Sequence, residues 1–189
     1  MPSLIALFDA CVLYPAPLRD LLMNLALTDL FRARWTEDIH EEWIRNLLQN
    51  RPDLKRRKLE QTRDLMNRNV RDCLVTGYRS LIPTLTLPDP NDKHILAAAI
   101  VAHADVVVTF NRGDFPAAVL EAYGIEAQHP DDFIGRLLNL SPAAVLLAVQ
   151  RQRQSLRNPP KTAEELLETF QQQGLTQTAA LLRQLVHLL

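Results

Sequence analysis

Three acidic side chains stand where polar groups converge in an α/β fold. Asp9 directly follows a short apolar run, Asp92 lies at the start of an alanine-rich helical pattern, and Asp114 follows a run of valines. Because the carboxyl ends of parallel strands and the starts of the helices that feed them share one sheet edge, we expect these carboxylates to meet in one crevice. Glu42, in the middle of an earlier helical pattern, is placed to project into the same crevice.

Such a cluster has a definite chemistry. Three or four carboxylates in one cleft cannot all be ionised without a cation. Hard oxygen donors without His or Cys suit Mg²⁺ or Mn²⁺. A carboxylate cluster that holds these ions activates water for in-line attack on a phosphodiester.

Helix capping is the competing explanation for the acids. Asp89 suits an N-cap, Pro90 the first helical position and Asp92 the third, with Lys93 as a candidate ion-pair partner. Asp9 could equally cap the helix that follows it. From the residues alone, capping and metal binding both stay open.

The sequence around Glu42 superficially matches a zinc-protease motif. In His40-Glu41-Glu42-Trp43-Ile44 the fifth position is Ile44 and not His, so the HExxH interpretation fails. Glu41 remains the alternative to Glu42 as the helical acid.

The elements that must position these acids form an alternating α/β pattern. Buried strands are predicted at 4–8 and 106–109, and extended segments at 31–35 and 125–130. One of the short segments 73–75 and 81–83 could be an edge strand or an extended approach to the stretch that begins at Leu87. Helices are predicted at 17–28, from an N-cap at Thr36, over 54–70, from Asp89 to about 103, at 117–123 with a stop at Gly124, and from Asp131.

Residues 45–71 form a basic segment, which contains nine Lys and Arg residues and only three acids. It is either a solvated helical face or an electrostatic track for phosphates. The absence of aromatic residues favours contact with the nucleic-acid backbone rather than base stacking. The candidate RNA contacts are Lys55, Arg56 and Arg57, together with Arg112 from the turn after the second buried strand.

A domain boundary is predicted near Asn139–Pro142, which gives a domain at 1–138 and a helical extension at 139–189. Ser141 is the expected N-cap of the first helix of the extension and Thr162 that of the second. Gly174 precedes the third. The extension has many leucines and no catalytic constellation, so a structural or interacting role is expected.

Composition limits the class of protein. The chain has 189 residues, 47% of them hydrophobic, and a net charge of −1, so any nucleic-acid binding must come from a local patch. Cys11 and Cys73 lack a CxxC spacing and are expected to be reduced core residues of a cytoplasmic protein. The sequence contains no run of 18 apolar residues, so no membrane span is predicted. Met1-Pro2-Ser3 lacks the basic start of a signal peptide.

Four segments together resemble the PIN domain in the form found in VapC-type toxin ribonucleases. They are Leu7–Leu13, Trp35–Trp43, Asp89–Ala99 and Val108–Pro116, and the resemblance covers residues 3 to 135. The C-terminal helices resemble an extension carried by some VapC-like proteins.

The resemblance implies a three-layer α/β/α fold with a mostly parallel central sheet, and a Mg²⁺- or Mn²⁺-dependent endoribonuclease. Its acids fall on Asp9, Glu42, Asp92 and Asp114, and Thr109 is expected to hydrogen-bond within the cluster. Many members carry an acid where this chain has Asn111, which could offer a carbonyl oxygen or orient a water. Asp89 is expected to be the cap and a candidate for a direct role. An RNA substrate, a cognate antitoxin and a homodimer are the implied partners.

Two other functions compete with this one. Asn111 favours a non-catalytic PIN-like module that binds RNA or protein. A response-regulator-like phosphoacceptor domain also uses acids at strand ends, but it needs an acid pair after the first strand and a lysine after a late one. Only Asp9 follows the first strand, and no lysine lies near Asp114.

Overall fold

A parallel sheet carries the candidate acids at its carboxyl edge. The computed structural model describes residues 4–189, so the prediction made for Met1–Ser3 lies outside the described residues. Four strands pair in the order β2-β1-β3-β4, and every pairing is parallel. The strands are β1 (Leu4–Phe8), β2 (Phe31–Arg34), β3 (Val106–Val108) and β4 (Glu126–Gln128).

Ten α-helices are present in the described part of the chain. They are α1 (Ala10–Leu13), α2 (Ala16–Ala26), α3 (Glu37–Asn50), α4 (Arg56–Asn69), α5 (Lys93–Val101), α6 (Ala117–Leu120), α7 (Pro130–Leu140), α8 (Pro142–Ser155), α9 (Ala163–Gln172) and α10 (Thr176–Arg183). Short 3₁₀ helices span Arg79–Thr84, Pro90–Asp92, Arg112–Asp114, Glu121–Tyr123 and Val186–Leu188. None of the helices in residues 4–189 combines the length and apolarity needed to cross a membrane.

The chain divides into two compact units. The first contains the sheet and is formed by residues up to Tyr14 together with Phe31–His129, and the second by Pro15–Leu30 and Pro130–Leu189. The second unit thus combines α2 with the helices that follow β4. The boundary between domains at residue 138 stays a prediction.

The core of the first unit explains why β1 and β3 were recognisable from the sequence. Both are covered on both faces, so their buried residues form continuous apolar runs. Phe8 packs edge-on against Phe31 and stacks on Trp35. Three consecutive fully buried alanines, Ala97–Ala99, allow α5 to approach the sheet closely.

A buried hydrogen-bond network fixes α3 against α4. The Asn67 Oδ1 atom accepts from Trp35 Nε1 at 2.8 Å and lies 2.9 Å from His40 Nε2, and Trp43 Nε1 donates to His40 Nδ1 at 3.0 Å. Thr36 caps α3 as predicted, because its hydroxyl accepts from the Ile39 N–H at 3.0 Å. This network sets the orientation of the helix that carries Glu41 and Glu42.

Helix caps also organise the second unit. Thr162 forms a capping box with Glu165 at the start of α9, which confirms that prediction. Asp131, in the first turn of α7, caps a different helix, because its two carboxylate oxygens accept from Gln177 N and Thr178 N at 2.8 Å, at the start of α10. Ser141 precedes α8 as predicted, but its side chain makes no capping bond.

One local prediction in the first unit was incomplete and two were wrong. The extended link at 31–35 is a strand of the sheet, because Phe31–Arg34 pairs with β1. Segment 81–83 lies in a 3₁₀ helix, and segment 73–75 contributes only an isolated bridge between Leu74 and Trp35, so neither is an edge strand. The helix expected from Asp89 begins as a separate 3₁₀ turn, and α5 proper starts at Lys93.

Candidate active site

The ends of β1 and β3 are tied together at Asp9. Its backbone N–H donates to the Val108 carbonyl oxygen at 3.1 Å. The carboxylate is 5% exposed, and its Oδ2 atom accepts from the Thr109 hydroxyl at 2.7 Å and from the Cys11 thiol at 3.1 Å. Burial raises the pKa of Asp9 above its ordinary value even though these hydrogen bonds oppose the shift. The expectation that Thr109 hydrogen-bonds within the acid cluster agrees with this geometry.

The turn after β3 places two more of the predicted residues. Thr109 is fully buried, and its Oγ1 atom accepts from the Asn111 N–H at 2.9 Å. Asn111 is exposed, and Asp114 is half-buried at the end of the 3₁₀ turn Arg112–Asp114. Both side chains face a cleft that the acid-bearing helices also line.

Asp89 and Asp92 have different local roles. Asp89 is a cap, because its Oδ1 atom accepts from the Asn91 N–H at 2.8 Å. Asp92 is half-buried where α5 begins, its side chain makes no capping bond, and it forms no ion pair with Lys93 within the described chain. The capping explanation therefore accounts for Asp89 and leaves Asp92 without a structural partner.

The surroundings of Asp92 strongly destabilise the ionised form of its carboxyl group. Burial raises its pKa to about 7, and the neighbouring charges of Asp9, Asp89, Asp114 and Glu42 act in the same direction. These acids therefore lie close enough to repel one another. A carboxylate in this state gains from a nearby cation more than an ordinary surface acid does.

Most of these acids line a cleft of about 640 Å³ within the first unit, but Asp9 is not among its lining residues. Its lining residues are Asp38, Glu41, Glu42, Arg45, Asn46, Asp89, Asn91, Asp92, His94, Asn111 and Asp114. Three separate stretches of sequence thus meet at one sheet edge, as the alternating strand and helix pattern predicted.

The contacts of Glu41 and Glu42 favour Glu42 as the helical acid. Arg56 donates to both carboxylate oxygens of exposed Glu41, at 2.9 and 3.0 Å, and these hydrogen bonds lower the Glu41 pKa. Glu42 Oε2 instead lies 3.3 Å from His94 Nε2, on the wall of the cleft. The assignment of Glu42 stays a prediction, and so do those of Asp9, Asp92 and Asp114.

The donor set fits a hard divalent cation in type and in charge. Carboxylates line the cleft, and the charges of the neighbouring acids add to burial in raising the pKa of Asp92. Across residues 4–189, however, no group of three or more His, Cys, Asp or Glu side chains is already arranged to hold one ion. Asp9 Oδ2 and Glu42 Oε2 contact protein groups instead.

Two residues of the cleft were missed by the sequence reasoning. Arg45 is an exposed cation one turn after Glu42 and forms no ion pair with any described residue. His94 lies beside Glu42, and its Nδ1 atom is buried without a hydrogen-bond partner in the described structure. The sequence signal for both was their closeness to a predicted acid: Arg45 lies three residues after Glu42, and His94 lies two residues after Asp92.

The predicted RNA contacts lie elsewhere. Lys55, Arg56 and Arg57 are exposed at the start of α4 and do not line the cleft. Arg56 is engaged by Glu41 and lies 3.6 Å from Glu60, so its charge is largely offset. Arg112 is exposed in the turn before Asp114.

Both cysteines are free thiols. Cys73 is buried, as expected of a core residue, whereas Cys11 is only partly buried and contacts the candidate site. Burial raises the pKa of both thiols, and the charge of Asp9 adds to the effect at Cys11.

The amino-acid sequence matches the sequence models of two known protein families. Residues 6–113 match the sequence model of the family described as PIN domain, and residues 130–184 match the one described as VapC50 C-terminal domain. The first match covers more than half of the chain, so this protein belongs to the PIN domain family. The predicted family and the predicted α/β/α fold class with further C-terminal helices are thereby confirmed.

One curated relative matches part of the chain. It is a protein of Mycobacterium tuberculosis named "Putative ribonuclease VapC50", 37% identical over 109 residues. The match spans 58% of this chain and 63% of the relative. No solved structure matches this chain.

Proposed function

We propose that the protein is a divalent-metal-dependent endoribonuclease of the cytoplasm and the toxin of a type II toxin–antitoxin pair. The observation that carries the proposal is the acid cleft in which Asp92 is held at a pKa of about 7 by burial and by four neighbouring carboxylates. A surface that only capped helices would not gather acids from three stretches of sequence and leave Asp92 without a partner. The name of the curated relative agrees with ribonuclease activity.

Four acids are assigned to the metal. Asp9, Glu42, Asp92 and Asp114 would hold Mg²⁺ or Mn²⁺, with Asp89 supporting the start of α5. When bound, such an ion polarises the phosphate and lowers the pKa of a coordinated water.

The protein's own groups divide the remaining tasks. Thr109 orients the Asp9 carboxylate, and the amide of Asn111 faces the cleft where an acid is common in the family. Arg45 at the rim supplies positive charge for a phosphate that approaches a negatively charged cleft. The basic start of α4, with Lys55 and Arg57, is assigned to the RNA backbone farther from the scissile bond, as is Arg112.

RNA cleavage tests the proposal. Wild-type protein should cleave a labelled RNA in Mn²⁺, EDTA should stop the reaction, and added Mn²⁺ should restore it. Asp9→Asn and Asp92→Asn should each lose at least about a hundredfold in rate, because each removes a charged metal ligand. Asp64→Asn is the matched control, since Asp64 is exposed and paired with Arg63 away from the cleft. Cleavage that persists in EDTA, or that survives both Asp9→Asn and Asp92→Asn, would contradict the proposal.

A second candidate is a non-catalytic PIN-like module that binds RNA or protein. Two observations favour it: Asn111 occupies a common acid position, and the described residues contain no preformed ligand group. Such a module would bind RNA in EDTA as well as in Mn²⁺ and would show no specific Mn²⁺ uptake. A cognate antitoxin and a homodimer stay predictions, which co-expression with the neighbouring open reading frame and sedimentation would test.

A further inference from the structure

Two hydrogen-bond chains converge on one oxygen of Asp9. In the first, the Asn111 N–H donates to Thr109 Oγ1 at 2.9 Å, and the Thr109 hydroxyl donates to Asp9 Oδ2 at 2.7 Å. In the second, the Phe110 N–H donates to Cys11 Sγ at 3.3 Å, and the Cys11 thiol donates to the same Oδ2 atom at 3.1 Å. Each chain therefore starts on a backbone N–H of the turn after β3 and ends on Asp9.

The arrangement fixes the direction of each proton. A hydroxyl or a thiol has a single proton to donate. Because an ionised carboxylate can only accept, the protons of Thr109 Oγ1 and Cys11 Sγ are directed toward Asp9, and both atoms accept from backbone N–H groups in turn. Cys11 Sγ also lies 3.4 Å from Thr109 Oγ1, so the two donors stand side by side.

Only one carboxylate oxygen of Asp9 receives these bonds. Both side-chain donors address Oδ2, and Oδ1 receives no side-chain hydrogen bond from the described residues. Oδ2 thus has two side-chain donors. The Ala10 backbone N–H also hydrogen-bonds to the carboxylate, and each carboxylate oxygen has two lone pairs, so Oδ1 keeps the capacity to bind a further positive group. A carboxylate held in this way presents one defined oxygen to a ligand.

We propose that Cys11 is a positioning residue which, together with Thr109, engages Asp9 Oδ2 and presents Oδ1 as the metal-binding oxygen. The inference rests on the proposed function for the identity of the ligand. It assigns to the thiol a hydrogen-bonding role in place of the core-packing role that its apolar sequence neighbourhood predicted. The role needs a neutral donor of this size, so Ser can fulfil it and Ala cannot.

Metal binding tests the role with a matched pair of variants. By Mn²⁺ calorimetry, Cys11→Ala should weaken binding about tenfold, the lower end of the range for groups that orient metal ligands. Cys11→Ser keeps a donor in nearly the same volume and should stay within about twofold of wild type. Thr109→Ala and Thr109→Ser should show the same contrast. Equal affinities for Cys11→Ala and Cys11→Ser would overturn the proposal.

A metal-independent measurement addresses the thiol itself. The S–H stretching band of Cys11, isolated by infrared spectroscopy in the Cys73→Ser variant, should lie below that of Cys73, isolated in Cys11→Ser. Asp9→Asn should move the Cys11 band to higher wavenumber, because a neutral amide oxygen is a weaker acceptor than a carboxylate. Cys73→Ser by itself should leave Mn²⁺ affinity within the experimental error of wild type, since Cys73 contacts Asn67 and not the acids.

The outcomes separate the two proposals. A wild-type protein that takes up no Mn²⁺ would overturn the proposed function and the ligand role of Asp9 with it. A Cys11 band that does not respond to Asp9→Asn would overturn the role of the thiol alone. Urea unfolding of Cys11→Ala and Cys11→Ser should show that both variants are fully folded under the conditions of the titration, and a loss of affinity that reflects partial unfolding would count against positioning.

Discussion

The negative charge of Asp92 should destabilise the metal-free protein, and Asp92→Asn should therefore make it more stable. The substitution removes the charge and keeps the shape of the side chain. The pKa of Asp92 is raised from 3.8 to about 7, first by burial and then by the four neighbouring acids. A functional site that stores such repulsion is expected to be a weak point of the fold.

The size of the effect follows from the shift. Three pKa units correspond to about 4 kcal/mol of differential interaction as an upper limit. Because Asp92 is only half-buried, solvent screening reduces the expected gain to about 1–2 kcal/mol. In a chain of this size that gain raises the melting temperature by about 2–8 °C.

The stability gained by Asp92→Asn should depend on pH, and the raised pKa determines the direction of that dependence. Between pH 3.8 and about 7 the folded chain keeps a proton on Asp92 that the unfolded chain has released. The contribution of this group to the free energy of unfolding therefore falls as pH rises through that window and is constant above it. The advantage of Asp92→Asn over wild type should be small at about pH 4.5 and complete at about pH 8.

Urea unfolding in EDTA measures this advantage directly. The chain has two tryptophans, Trp35 and Trp43, both fully buried in the unit that contains Asp92, so their fluorescence reports on the relevant unit. Asp64→Asn should show no gain at any pH, because Asp64 is exposed and paired with Arg63. Saturating Mn²⁺ should reverse the order and favour wild type. No gain at about pH 8, or a gain that is the same at every pH, would refute the account of Asp92.

Three further predictions concern other parts of the molecule. Arg45→Gln should raise KM for RNA about three- to tenfold with little change in kcat, and steady-state kinetics at several salt concentrations should show a shallower salt dependence. Asn67→Ala should lower the free energy of unfolding by about 2 kcal/mol in urea titrations, because Trp35 Nε1 and His40 Nε2 lose their shared acceptor. Thr162→Ala should cost about 1 kcal/mol through loss of the capping box, measured by circular dichroism of the thermal transition.

Each of these predictions has a result that contradicts it. An unchanged KM for Arg45→Gln, or a Mn²⁺ affinity that falls together with RNA affinity, would remove Arg45 from phosphate binding. Wild-type stability of Asn67→Ala would mean that the network does not hold α3. Thr162→Ser, which keeps the capping oxygen, should restore most of what Thr162→Ala loses.

Local patterns predicted the parts of the fold that depend on local physics. The continuous apolar runs of β1 and β3, the N-caps Thr36 and Thr162, and the stop at Gly124 were recognisable without the structure. Gly124 has a φ of +69°, a left-handed conformation that glycine adopts without steric cost. The order of strand, helix and acid was also sufficient to predict that Asp92 and Asp114 face one cleft.

Tertiary pairing explains what the sequence did not reveal. Phe31–Arg34 has only two buried residues, and its identity as a strand depends on pairing with β1. Asp131 looks like a first-turn acid of its own helix, but it caps α10, some 46 residues later. A cap that acts across such a distance leaves no local signature.

The same limit applies within the candidate site. Charge density alone suggested Arg56 as an RNA contact, and only the structure shows that Glu41 engages it. Likewise, the thiol of Cys11 has apolar sequence neighbours, and its hydrogen bond to Asp9 depends on how β1 and β3 end. Residue types identified the acids, whereas their partners required the fold.

The most direct test of the central claim is Mn²⁺ titration by calorimetry at about pH 8, where Asp92 is mostly ionised. Wild type and Asp64→Asn should bind Mn²⁺ with similar affinity, and Asp9→Asn and Asp92→Asn should each bind at least about tenfold more weakly. That result would identify the acid cleft as the metal site on which RNA hydrolysis depends. Equal uptake by all four proteins, or no uptake by wild type, would contradict the claim.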